Sequence, residues 1–206
     1  MGIPFHKNKA VNLPSKHRPL WIVLMILVIL VGWGIRLYNG FVKTEEKMAQ
    51  AWSQVENVYQ RRMDLIPNLI AVVQSYADYE QGTLVNIVEA RAKQASSLTL
   101  DPASMTQEQL SDFENTQQLL DGAVNEVIGS IENYPDLKAV DSYQTFLAQY
   151  EGSENRILVE RKRFNKMVQD YNKSIRSFPG NLIARWFGFE PKPYFQTENG
   201  ERKTEN

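Results

Sequence analysis

From Leu20 to Ile35 the chain carries no charge: the run reads LWIVLMILVILVGWGI, closed by Arg18 on one side and Arg36 on the other. A helix that crosses the hydrocarbon core of a bilayer needs about 17–25 apolar residues. Leu37 and Tyr38 extend the run to that length if the Arg36 head reaches the headgroups along its apolar stem. Trp21, Trp33 and Tyr38 stand near the two ends, where amphipathic rings favour the interface. The expectation is a transmembrane helix over 20–38, with Leu20, Trp21, Trp33 and Ile35 among its residues. A cleaved signal peptide would need small residues just after the apolar core. The chain has Arg36-Leu37-Tyr38-Asn39 there, so an uncleaved anchor is expected.

The net charge of −1 hides an asymmetry. Lys7, Lys9, Lys16 and Arg18 precede the run without a single acid, whereas 18 basic and 24 acidic residues follow Arg36. A body with excess acid and no basic run argues against nucleic acid as a partner. Basic residues in short flanks tend to stay cytoplasmic. The four in the N-terminal tail outnumber Arg36, Lys43 and Lys47 just beyond the run. This leans towards a cytoplasmic N-terminus and a body outside the cytoplasm.

Cysteine is absent, and the only histidines, His6 and His17, lie in the tail. Disulfides, thiol catalysis and thiolate metal sites are therefore excluded. A general base in the body would have to be Asp, Glu, Lys or Tyr. Its carboxylates scatter over helix faces: Asp112 with Glu114 reads as a solvated face, and Glu198 with Glu201 as a solvated tail. There is no phosphate loop, nucleophile elbow or metal-ligand spacing. No catalytic residue, cofactor, metal or small-molecule substrate is expected.

Beyond Phe41 the apolar spacing is helical. Met48, Trp52, Val55, Tyr59, Arg62, Ile66, Leu69, Val73 and Tyr76 step by four and three, the spacing of a seam on one helix face. Pro67 falls inside it, yet the phase carries from Ile66 to Leu69, so a kink is expected rather than a split. The pattern fades over Ala92–Asp101, and Asp101-Pro102 marks a loop. Thr106 and Gln109 then form a capping-box pattern, with Met105 and Leu110 placed as a hydrophobic staple. The seam resumes through Leu110, Phe113, Gln117, Leu120, Val124, Val127, Ile131 and Tyr134, and stops at Pro135. A third stretch holds one phase from Val140 to Ile175, through Gly152, until Pro179-Gly180. At 1.5 Å per residue it makes a rod of about 54 Å.

No alternating strand pattern appears. The fold class is all-α: a single N-terminal transmembrane helix continues into an antiparallel bundle of three long helices plus a short C-terminal helix. The expected organisation is a basic disordered tail over 1–19, the span over 20–38, the bundle over 39–189 and a C-terminal tail over 190–206. With no Pro or Gly between Phe41 and Ile66, the anchor should run straight into the body as a stalk.

Polar residues interrupt the seams at Arg62, Gln117, Glu154 and Arg161. Glu154 could pair with either arginine, giving a buried polar seam that fixes register. Leu182, Ile183, Trp186, Phe187 and Phe189 crowd a short apolar stretch near the C-terminus. They would form either a plug over one end of the bundle or a surface for a partner or the membrane.

These segments resemble the LemA family of bacterial membrane proteins. The resemblance rests on AWSQVENVYQRRMDLIPNL over 51–69, YADYE over 76–80, Thr83-Leu84 and Ala90-Arg91-Ala92. It continues through EGSENRI over 151–157, Arg161, Tyr171-Asn172, FPGNLIA over 178–184 and Phe187-Gly188-Phe189. A departure is Phe164-Asn165, where a Tyr-Asn pair is usual. The resemblance implies a helical bundle in the bacterial cytoplasmic membrane, with no catalytic or ligand residues to carry over. It implies association with envelope stress and membrane proteolysis, and a related protein takes part in building magnetosome membranes. The expected function is a non-enzymatic membrane scaffold or adaptor. Its partners would be envelope proteins, a membrane protease among them, or further copies of the chain. The alternative is a membrane-remodelling protein acting directly on lipid.

Overall fold

A computed structural model describes residues 18–75, 82–97 and 100–195. The basic tail over 1–17, Tyr76 and the Glu198–Glu201 segment lie outside the described residues.

Helix α1 runs unbroken over Arg18–Gln74, 57 residues or about 86 Å of helix. It joins the apolar run directly to the body. Residues 20–31 are exposed on every face, whereas Met48, Trp52, Val55, Tyr59, Arg62, Ile66, Leu69 and Val73 are all buried. Pro67 lies within the helix on its exposed side. Fully buried Ile66 and Leu69 flank it, so packing holds the helix across the missing backbone bond.

Helix α2 (Gly82–Ser97) is a separate element. The sequence pattern carries the first helical stretch on towards Ala92, but α1 stops at Gln74 and α2 packs mainly on the next helix. The buried α2 residues Ile87, Ala90 and Gln94 continue the three-and-four stepping of α1, so the break leaves no mark on the period.

Helix α3 (Gln107–Ile131) begins on the expected capping box. Thr106 Oγ1 accepts from the Gln109 N–H at 3.2 Å, and Gln109 Oε1 accepts from the Thr106 N–H at 2.9 Å. The staple residues Met105 and Leu110 are both buried in one cluster. Pro135 opens a four-residue helix α4 (Pro135–Lys138). Helix α5 (Asp141–Arg176) then runs 36 residues straight through Gly152. Helix α6 (Gly180–Phe187) ends at Gly188, whose φ of 75° is the left-handed cap that favours glycine.

Contacts give the directions. Thr44 meets Ser174 and Arg62 meets Glu154, so α1 and α5 are antiparallel. Tyr150 meets Asp121 and Arg161 meets Glu114, so α3 and α5 are antiparallel and α1 runs parallel to α3. The core falls into three clusters along the bundle. Phe41, Tyr171, Ile175 and Ala184 lie nearest the apolar run. A middle cluster centres on Trp52, Phe113 and Phe164, and a distal one on Ile66, Leu120 and Tyr143.

Packing continues past Phe189. Residues 190–195 return along α5 as an extended strap that ends with Phe195 buried in the middle cluster. The Phe195 ring stacks on Trp52 at 5.9 Å and meets Phe164 edge-on at 5.5 Å.

Candidate functional site

Two places in the bundle break the apolar rule. The first is a polar layer between the middle and distal clusters. On α1, Arg62 falls between Tyr59 and Ile66; on α3, Gln117 falls between Phe113 and Leu120; on α5, Glu154 falls between Ile157 and Tyr150. Folding brings all three interruptions together. Arg62 is 1% exposed and donates to Glu154 Oε1 at 2.6 Å and Gln117 Oε1 at 2.9 Å. Its Nη1 also lies 2.5 Å from Asp121 Oδ1. The Tyr150 hydroxyl donates to Asp121 at 2.9 Å, and the guanidinium lies 5.1 Å from the Tyr59 ring centre.

Burial alone would lower the pKa of Arg62, but the carboxylates of Asp121 and Glu154 outweigh it and hold the pKa above its usual value. Burial pushes the Tyr59 hydroxyl up to about 12. Burial, reinforced by Asp121, raises Tyr150 as well. The layer thus holds a permanent cation among neutral phenols and partly exposed carboxylates. That arrangement sets register: sliding α1 by a turn would move the Arg62 charge into an apolar cluster.

The structure pairs Glu154 with Arg62 and not with Arg161. Arg161 lies further along α5, paired with Glu114 and 4.7 Å above the Phe195 ring. Glu114 is therefore not part of a solvated face, whereas Asp112 is exposed. The apolar seams do not single out Asp121, Asn165 or Asn172, although Phe164-Asn165 and Tyr171-Asn172 stand among the residues compared with the LemA family. The two asparagines sit seven residues apart, each after a buried aromatic. Asn172 donates to the Lys192 carbonyl at 2.9 Å and accepts from its N–H at 2.8 Å. Asn165 does the same to Phe195 at 3.0 and 2.9 Å. This pair of clamps holds the strap, and the repeated aromatic-Asn pair was its legible signal. The Tyr171 hydroxyl adds a third bond, to the Glu190 carbonyl at 3.1 Å.

The RRMD stretch divides between two faces. Arg62 points inward, while Arg61 and Asp64 line an open groove against Ala148, Gly152 and Arg156 of α5. Among the described residues, no three His, Cys, Asp or Glu gather as metal ligands.

The second place is the end of the bundle beside the apolar run, where α6 lies. Ile183 and Phe189 are partly buried against the cluster of Phe41, Tyr171 and Ile175. Leu182, Trp186 and Phe187 are exposed. Phe187 and Phe189 both meet the Tyr38 ring edge-on, at 5.0 and 5.6 Å. The aromatic stretch thus divides into an inner side that seals the bundle and an outer side that is open.

Among the described residues, an all-helical body that continues directly from an exposed apolar run at the start of α1 is the build of a membrane-associated bacterial protein. The family model described as the LemA family matches residues 51–206. The chain belongs to the LemA family. It is similar to the magnetosome protein MamQ 1 of Paramagnetospirillum magneticum, with 26% identity over 196 residues covering 87% of this chain and 72% of the relative. It is similar to the magnetosome protein MamQ of Magnetospirillum gryphiswaldense, with 26% identity over 192 residues covering 85% and 71%. The protein LemA of Metamycoplasma hominis is 24% identical over 164 residues, covering 80% and 71%.

Proposed function

We propose that this protein is a non-enzymatic scaffold or adaptor of the bacterial cytoplasmic membrane, with its body outside the cytoplasm. The observation that carries the reading is the continuity of α1 from the apolar run into the core of the body. A rigid junction of this kind presents the body's helix faces at one height and orientation above the bilayer. That suits a protein whose work is to hold others in place. The partners would be other envelope or membrane proteins, in envelope stress or membrane proteolysis, or further copies of the chain.

The test is photo-crosslinking in intact cells, with the probe placed at Arg61 and Arg156, which are exposed along the α1–α5 groove, and at Glu108, exposed in the first turn of α3. A scaffold gives discrete protein adducts at positions on one face, and a mass of twice the chain marks self-association. Absence of protein adducts at all three positions overturns the reading. So does turnover by purified protein that a single carboxylate substitution abolishes.

Direct action on lipid is the second reading. The open apolar side of α6 favours it, as do relatives named for the magnetosome. It predicts crosslinks to lipid without protein adducts.

A further inference from the structure

The polar clusters are taken up by packing, and the α1–α5 groove is lined by groups of both charges, Arg61, Asp64 and Arg156. Helix α6 is different, because its position relative to the apolar run is fixed. Near its start, an added side-chain carbon at Gly180 would stand 3.0 Å from the Phe41 ring and 3.2 Å from the Ser174 carbonyl, so the helix is pinned there by close approach. In its middle, Ile183 Cδ1 would lie 3.7 Å from a side-chain carbon at Gly34. At its end, Phe187 meets Tyr38.

These contacts reach from Gly34 to Phe41 on α1, seven residues or about 10 Å along its axis, close to the roughly 12 Å length of α6. These contacts with α1 fall between Gly34 and Phe41, where the uncharged run ends.

At that level α6 and Phe178 just before it carry the most exposed large apolar side chains among the described residues of the body: Phe178 is 81% exposed, Leu182 64%, Trp186 87% and Phe187 61%. Between α6 and the run lies an apolar groove of about 440 Å³. Val31, Gly34, Ile35 and Tyr38 form one wall, and Ile183, Trp186 and Phe187 the other. The groove is continuous with the fully exposed surface of residues 20–31. Arg36 next to Ile35 on α1 and Arg185 next to Trp186 on α6 are exposed, and Arg185 shares a polar pocket with exposed Arg176 of α5.

We infer that α6 is a second membrane element. It lies in the headgroup–acyl boundary of the body-side leaflet, with Phe178, Leu182, Trp186 and Phe187 in lipid and the groove holding an acyl chain. The reasoning is positional: if residues 20–38 cross the bilayer, whatever packs sideways on Gly34–Tyr38 is at the interface. A short amphipathic helix with an aromatic face and arginines at its edges fits that layer. The span is at the short end of bilayer thickness, and α6 adds apolar surface at the end where the run gives out. The inference rests on the membrane-span reading and not on the scaffold reading.

The test uses the full chain in phospholipid vesicles. Since the protein has no cysteine, a single environment-sensitive fluorophore can be placed at Leu182→Cys, Val28→Cys or Glu108→Cys. The expected result is several-fold less quenching by aqueous iodide at position 182 than at 108. Lipids spin-labelled high on the acyl chain should quench position 182 strongly, and those labelled near the chain end should quench it weakly. Protection at position 28 with free iodide access at 182 overturns the inference and leaves the span intact. Iodide access at both 28 and 182 overturns the span and the inference together. Protection at 182 without lipid quenching means that protein covers α6, and this too overturns the inference.

Discussion

Arg62 concentrates the cost and the specificity of the fold in one side chain. It is buried, while its partners Asp121 and Glu154 are partly exposed. The consequences of substitution are therefore unequal. Arg62→Ala leaves a void in the core and an unpaired Gln117 amide, and should cost about 3 kcal/mol. Glu154→Gln leaves Arg62 still paired with Asp121, and should cost about 1 kcal/mol. Urea unfolding of the full chain in micelles, followed by helical circular dichroism, would separate the two. Equal effects would mean that the layer does not centre on the arginine. Arg62 was legible in the sequence as a break in an apolar seam, and so was Glu154. Asp121 was not, because it stands one position past the α3 seam residue Leu120 and reaches the layer only through tertiary packing.

Among the elements, the strongest sequence signals were the chemical ones. The capping box fixed the start of α3 because its two hydrogen bonds are local to residues 106–109. The continuity of α5 through Gly152 followed from an unbroken phase. The separation of α1 from α2 did not show, because the buried residues of α2 keep the phase of α1. The repeated aromatic-Asn pair was legible but the strap it holds was not: an extended segment has no helical period, and Asn165 and Asn172 are 20 to 30 residues away from it. Asn172→Ala should free the Lys192 backbone and cost about 1–2 kcal/mol. The checkable consequence is faster limited proteolysis between Gly188 and Phe195, with the rest of the body still resistant. An unchanged cleavage rate would mean that Phe195 alone holds the strap.

The whole molecule is an asymmetric object, a basic tail and an apolar run at one end and an acidic helical body at the other. The charge asymmetry predicts a cytoplasmic tail. Glu108 is exposed in the first turn of α3, so Glu108→Cys should react with a membrane-impermeant maleimide in intact cells. Labelling only after lysis would reverse the orientation and move the partner search to the cytoplasm.

The sequence by itself determined the apolar run, the seams, the start of α3 and the course of α5, because each is set by spacing along the chain. Tertiary structure alone decided three things: which carboxylates meet Arg62, where the strap inserts Phe195, and that α6 packs on α1 at the end of the apolar run. Each joins residues far apart in the chain, and periodicity holds no information about which distant surfaces meet.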